Sequence, residues 1–230
     1  MSEQESKEKA LWSEVAGRFG SETITLGNHW SYNLRNDPKR LAFVLSRYKF
    51  SAKMCRQGST VLELGCSEGI GVPILSEFAS EYTGVDMDKE AIDSASFNWP
   101  QGNVRFVNDD FLGKTYGSFD AVISLDVIEH IDHSIEHLFF KTVYDNLDID
   151  GIAMIGTPNV TSSHYASAAS QSGHINLFDY DRLRNTMQQL FTNVFMFGGN
   201  DEVVHTGFAP MSHYLYALGC GKKDRYTYVK

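Results

Sequence analysis

Four of the chain's histidines, His130, His164, His174 and His205, follow short apolar runs. An imidazole titrates near neutral pH and can take a proton from a reacting hydroxyl or amine. His130 and His174 are the first choices for such a base. Asp126, Glu129 and His130 stand at i, i+3 and i+4, so one turn of helix would bring them to one side. Two carboxylates and an imidazole suit magnesium, manganese or zinc. However, the tripeptide Ile128-Glu129-His130 recurs at Ile135-Glu136-His137 in an ordinary helical pattern. A divalent metal on Asp126, Glu129 and His130 is therefore open but not favoured.

A second set of residues has the pattern of a ligand cradle. The run Val61-Leu-Glu-Leu-Gly-Cys-Ser-Glu-Gly-Ile-Gly71 ends an apolar stretch in glycines, as a strand does when it turns into a helix and brings bare backbone against a ligand. Gly65, Gly69 and Gly71 do not follow the G-x-G-x-x-G spacing. Glu63, two residues before Gly65, would be unwelcome beside a pyrophosphate but not beside a cationic amino-acid group. In Tyr82-Thr-Gly-Val-Asp-Met-Asp88, Asp86 lies about twenty residues past the first glycine, where a carboxylate can grip a ribose diol. Asp88 can cap the next helix. In Val107-Asn-Asp-Asp-Phe-Leu112, Asp110 can accept from an adenine amino group with Phe111 on the ring face, while Asp109 can serve as a cap.

The elements that carry these residues are legible as alternating apolar runs and helical periods. Strands are predicted at 60–65, 81–86, 104–107, 121–125, 151–156, 192–197 and 212–218, and helices at 38–54, 72–78, 89–96, 133–146 and 180–190. This order predicts an α/β fold, a largely parallel sheet covered by helices on both faces. Ligands of such sheets sit beyond the carboxyl ends of the strands, where the histidines and carboxylates fall. The glycine-rich stretch 198–210 reads as a loop on that side, offering Asp201, Glu202 and His205 to a substrate or to solvent. A chain of 230 residues suffices for one domain of this kind. A net charge of −9 argues against a nucleic-acid partner. Three scattered cysteines fit neither a disulfide framework nor a zinc site, and neither a leader nor a membrane span is legible, so a cytoplasmic protein without a membrane partner is expected.

Taken in order, VLELGCSEGIG, YTGVDMD, NDDFL and FDAVISLDVIEHI resemble the motifs of class I S-adenosylmethionine-dependent methyltransferases, including small-molecule, sugar and ubiquinone-pathway O-methyltransferases. The resemblance implies one Rossmann-like domain over 57–230, with seven strands of which the last is antiparallel, behind an N-terminal helical lid over 1–56. It implies S-adenosyl-L-methionine as cofactor, with Glu63 and Gly65 along its aminocarboxypropyl end, Asp86 on the ribose, Asp110 and Phe111 around the adenine, and Met87 and Leu125 as further contacts. Ser67 departs from the pattern, standing where the family commonly has a second glycine. Leu45-Ser-Arg-Tyr-Lys-Phe50 is similar to an Arg-Tyr element of sugar and surface-polysaccharide methyltransferases, which implies that Arg47 or Tyr48 closes over the cofactor carboxylate. The Asp-Val-Ile-Glu-His run is similar to the metal-binding Glu-x-x-Glu-His of ubiquinone-pathway and small-RNA terminal-ribose methyltransferases.

The activity implied is in-line methyl transfer to an oxygen of a small sugar-like or phosphorylated acceptor, with a histidine base. Metal-assisted methylation of an RNA terminal ribose is one alternative, and a non-catalytic cofactor-binding or partner-binding module is another. Arg35, Lys39, Arg40 and Arg47, ahead of the first motif, either form a solvated basic helix that balances the acidic body or receive an anionic group of the small-molecule acceptor. The oligomeric state stays open.

Overall fold

The computed structural model describes residues 6–21 and 23–228. Along the chain run α1 (Lys7–Ala16), α2 (Asn28–Asn36), α3 (Pro38–Met54), β1 (Ser59–Leu64), α4 (Val72–Leu75), β2 (Ala79–Asp86), α5 (Lys89–Asn98) and β3 (Val104–Asn108). Then come β4 (Phe119–Leu125), α6 (Glu136–Asn146), β5 (Leu147–Pro158), α7 (Ala168–Gly173), α8 (Tyr180–Leu190), β6 (Phe191–Asn200), β7 (Val203–His205) and β8 (Tyr214–Lys222). The strands form one sheet in the order β3-β2-β1-β4-β5-β8-β6-β7. The strands from β3 across to β5 pair in parallel, and β8 runs antiparallel between β5 and β6. The chain order reverses between β1 and β4, which opens a crevice at their carboxyl ends.

The sheet has eight strands, not the expected seven. The extra one is β7, which folds back on Gly198–Asn200 around a turn with Asp201 at φ 50°. Glycines there do not signal a loop. A Cβ on Gly198 would lie 2.1 Å from Ser212 Oγ, and one on Gly199 would lie 3.0 Å from the Tyr216 ring, so these are crowded strand positions where a larger residue would force Ser212 and Tyr216 to shift.

Alternation along the central strands sends side chains to two cores. Leu62 and Leu64 of β1 join Phe139, Phe140 and Val143 of α6 and Leu183, Met187 and Leu190 of α8. Val61 joins Val44, Tyr48 and Ala52 of α3 and Val72 and Leu75 of α4 on the opposite face. The segment before residue 57 therefore divides in two. In α2 and α3, Trp30, Val44, Tyr48 and Ala52 are buried, whereas α1 carries no buried residue. The helix expected over 72–78 stops at Leu75 because the chain must enter β2 at Ala79, opposite Ser59. The helix expected from residue 133 begins at Glu136, after a turn in which Ser134 N–H donates to Asp132. No described helix is long and apolar enough to cross a membrane. The cysteines Cys55, Cys66 and Cys220 are free thiols.

Candidate active site

The period of β1 that sends Val61 toward α3 sends Glu63 the same way, so this carboxylate enters an apolar layer. It is 1% exposed. Tyr48 of α3 donates to its Oε1 at 2.6 Å and Tyr82 of β2 to its Oε2 at 2.5 Å. Burial pushes its carboxyl up to about 7, against the two tyrosine donors, which pull it down. Glu63 and Tyr48 therefore hold each other beneath the glycine turn, and Gly71 leaves room for the tyrosine: a Cβ there would sit 2.2 Å from its ring.

A carboxyl whose folded pKa is raised stabilises the fold fully below its unfolded value of 4.5 and loses that contribution as pH climbs to about 7. The stability of wild type relative to Glu63→Gln should accordingly fall by on the order of 3 kcal/mol across that window. Urea denaturation at several pH values measures it, and a difference that does not change with pH would contradict the assignment.

The turn after β1 passes through three left-handed residues, Gly65 (φ 80°), Ser67 (φ 47°) and Gly69 (φ 70°). Ser67 occupies the conformation for which glycine is the natural residue. Its strain is held by its own N–H, which donates to Asp86 Oδ2 at 2.8 Å. Ser67→Gly should raise stability by about 0.5 to 1 kcal/mol, the left-handed penalty less the added chain entropy; a lowered urea midpoint would count against it. Glu68, next in the chain, caps α2 from outside, accepting from His29 N–H at 2.9 Å and Trp30 N–H at 3.0 Å.

Asp86 ends β2 half-buried, with Oδ1 accepting from Asp88 N–H at 2.9 Å. Asp88 takes the cap of α5, accepting from Glu90 and Ala91. Asp86 is in register with Asn108 at the end of β3, which brings Asp110 to the same rim. Asp110 is exposed and accepts from Leu112 N–H at 3.2 Å, while Asp109 is engaged by Lys114 and Tyr116. Phe111 is not on this rim. It is 7% exposed and meets Phe139 edge-on in the core, because its side chain fills the layer under α6. The apolar side chain standing free beside Asp86 is Met87, 74% exposed. Leu125 closes β4, buried.

Beyond β4 the chain turns through Asp126 in a left-handed conformation, φ 58°, so the helical turn expected to align Asp126 with Glu129 and His130 does not form. Asp126 instead takes Arg47, whose Nη1 lies 2.7 and 2.6 Å from its two oxygens. The guanidinium stacks 3.8 Å above the Tyr214 ring. Glu129 points inward, fully buried, with Oε2 accepting from Thr157 at 3.0 Å and Oε1 without a partner. Burial, and then the Asp126 carboxylate, push its carboxyl well above the usual range.

His130 Nδ1 donates to the Gly173 carbonyl at 2.9 Å, which leaves Nε2 as an acceptor. The His174 ring lies 5.0 Å from it. Burial, and then the His130 imidazole, lower the His174 pKa. Among the described residues, the group whose ligand atoms lie close enough to hold a metal is Glu129, His130 and His174, within 4.8 Å of one another, not Asp126, Glu129 and His130.

His174 also lines a cavity of about 630 Å³ together with Arg40, Arg47, Asp126, Gln171 and His164. His205 stands apart, closing the β6–β7 hairpin through Asn200 at 2.8 Å and Gly207 N–H at 3.1 Å.

Residues 34–192 match the methyltransferase domain family, more than half of the chain. The chain belongs to this family. The methyltransferase is 30% identical over 112 residues to a Mycolicibacterium smegmatis protein named as a probable S-adenosylmethionine-dependent methyltransferase, covering 49% of this chain and 42% of that one. It is 25% identical over 127 residues to a ubiquinone biosynthesis O-methyltransferase of Psychrobacter arcticus, covering 52% and 49%. The matches thus span about half the length of these curated relatives. Its fold is similar to a TehB-like methyltransferase from Corynebacterium glutamicum, at TM-score 0.65 and 21% identity over 85% of this chain and 97% of the other. A further likeness is to the N-methyltransferase NodS from Bradyrhizobium japonicum with S-adenosyl-L-homocysteine, at TM-score 0.62 and 16% identity over 84% and 92%.

S-adenosylmethionine is the cofactor of this family, and the donor set of the methyltransferase suits it. Each Asp86 oxygen already holds one backbone N–H, which fixes the carboxylate and leaves a second lone pair on each for a hydroxyl. Asp110 adds an exposed acceptor one strand away, and Met87 an apolar surface between them. Tyr82, Thr157, Tyr214 and Glu68 escaped sequence reading. Each acts on a partner more than fifteen residues distant, and no local spacing signals such a contact.

Proposed function

We propose that the methyltransferase transfers a methyl group from S-adenosylmethionine to an oxygen of a small, sugar-like or phosphorylated acceptor, with His174 removing the acceptor's proton. The cavity beyond β4 and β5 carries this reading, because His174 lines it together with charged and hydroxyl-bearing side chains. When bound, the cofactor supplies a methyl group on a sulfonium, an electrophile that asks chiefly for an aligned nucleophile. His174, whose pKa burial and then the His130 imidazole lower, is the group able to accept the hydroxyl proton. His130, tied to Gly173, holds the segment that carries His174. Arg47 and Asp126 wall the cavity toward β4. The relatives named as ubiquinone biosynthesis O-methyltransferases favour oxygen as the acceptor atom.

The experiment is a single turnover with S-adenosylmethionine labelled by ¹³C at the methyl group, followed by carbon NMR of the product. An O-methyl resonance is expected; an N-methyl or C-methyl resonance would overturn the assignment.

A second reading has the unpartnered Glu129 Oε1 in its favour. With His130 and His174 it could take magnesium, manganese or zinc, and the ion would then activate the acceptor oxygen. Loss of turnover on chelation, restored by one of these ions, would select it over the metal-free base.

A further inference from the structure

We propose that Arg40 and Asp37 form the recognition pair for the acceptor, Arg40 binding an oxyanion on it, phosphate or carboxylate, and Asp37 accepting from a hydroxyl of the same molecule. This rests on the cavity being the acceptor site.

Both residues line the cavity, three positions apart at the start of α3. Arg40 is half-buried, and no hydrogen bond or ion pair is formed by its guanidinium among the described residues, whereas Arg47, the other arginine of the wall, is held by Asp126. Asp37 occupies the N-cap position of α3, where an aspartate ordinarily accepts from the first turn, yet its carboxylate makes no capping bond. The helix start gives up a stabilising contact and presents the carboxylate to the cavity instead. Arg35 and Lys39, which the sequence groups with Arg40, do not line it.

The charges in the wall therefore resolve simply. Arg47 and Asp126 neutralise each other, and among the described residues one guanidinium and one carboxylate of the wall remain without a hydrogen-bond or ion-pair partner. Residues 162–171 contribute Ser162, Ser163 and Gln171 to the lining, hydroxyl and amide groups that pair with hydroxyls. An apolar acceptor would leave two half-enclosed charges unmet. A neutral sugar would satisfy Asp37 and the serines but leave Arg40's planar fork of donors empty. A hydroxylated anion satisfies all of them, and its negative charge complements the sulfonium of the cofactor. Burial, and then the Arg40 charge, lower the His29 pKa, and Arg40 adds to burial and the His130 imidazole in lowering that of His174, so an oxyanion on Arg40 lies within the field of the proposed base.

The test follows the imidazole proton resonances of His164 and His174 while glucose, glucose 6-phosphate, glucuronate and inorganic phosphate are titrated into the protein, with and without S-adenosylhomocysteine. The anions are expected to shift these resonances at concentrations at least tenfold lower than glucose does. Arg40→Gln should abolish that preference, and Asp37→Asn should weaken both sugar anions while sparing inorganic phosphate. The tighter of glucose 6-phosphate and glucuronate identifies the oxyanion. The proposal is overturned if no anion shifts either imidazole, or if Arg40→Gln retains the wild-type preference. Calorimetry of S-adenosylhomocysteine on both variants should match wild type. Failure of wild type to bind it would contradict the methyltransferase reading, while the anion titration without cofactor still decides the role of Arg40.

Discussion

Asp86→Ala is expected to weaken S-adenosylhomocysteine binding by about 2 to 4 kcal/mol, roughly 30-fold to 1,000-fold in Kd, as for loss of a charge-assisted pair of hydrogen bonds. Two effects add. The ribose loses its acceptor, and the N–H groups of Ser67 and Asp88, which now donate to the carboxylate at 2.8 and 2.9 Å, lose theirs. Because the second effect releases the strained turn at Ser67, Asp86→Asn is the informative companion. It retains one oxygen and the side chain's shape and should lose less. Titration calorimetry on folded variants separates them, and Kd values equal to wild type for both would remove Asp86 from the cofactor site.

The second large effect is on turnover. His174→Ala should lower kcat by about 10²-fold to 10⁴-fold, the usual contribution of a positioned general base, with S-adenosylhomocysteine affinity unchanged. His130→Ala should cost less, since its Nδ1 serves the Gly173 carbonyl and it does not line the cavity. The double variant should be no slower than His174→Ala alone, as expected when one residue acts through the other. A kcat for His174→Ala within a factor of about three of wild type would place the base elsewhere.

Much of the scaffold was legible because it depends on local patterns. The helices over 38–54 and 180–190 fall at the expected bounds, the first opened by Pro38 and the second capped by Asp179 from within its own first turn. The parallel strands announce themselves as apolar runs because both their faces are covered. Elements of low apolar content did not show: α2 and α7 are short and polar, and β7 exists only through its pairing with β6.

At the site, residues positioned by a strand end were placed by sequence alone. Asp86 and Asp110 share one rim because β2 and β3 are neighbours in register. Residues positioned by long-range packing were not. Phe111 turns inward because Phe139 waits beneath it. Asp126 leaves the helical spacing because its backbone adopts φ 58° and Arg47, 79 residues earlier, takes its carboxylate. His174 arrives beside Glu129 and His130 through a connection whose length says nothing about where it returns.

The most direct test of the central claim supplies the protein with S-adenosylmethionine bearing a deuterated methyl group and a cell extract, and follows the label by untargeted mass spectrometry. Wild type is expected to form a labelled low-mass, hydroxylated and anionic metabolite that is lost with His174→Ala. Label confined to RNA or protein, or no label at all from a chain that binds S-adenosylhomocysteine, would contradict it.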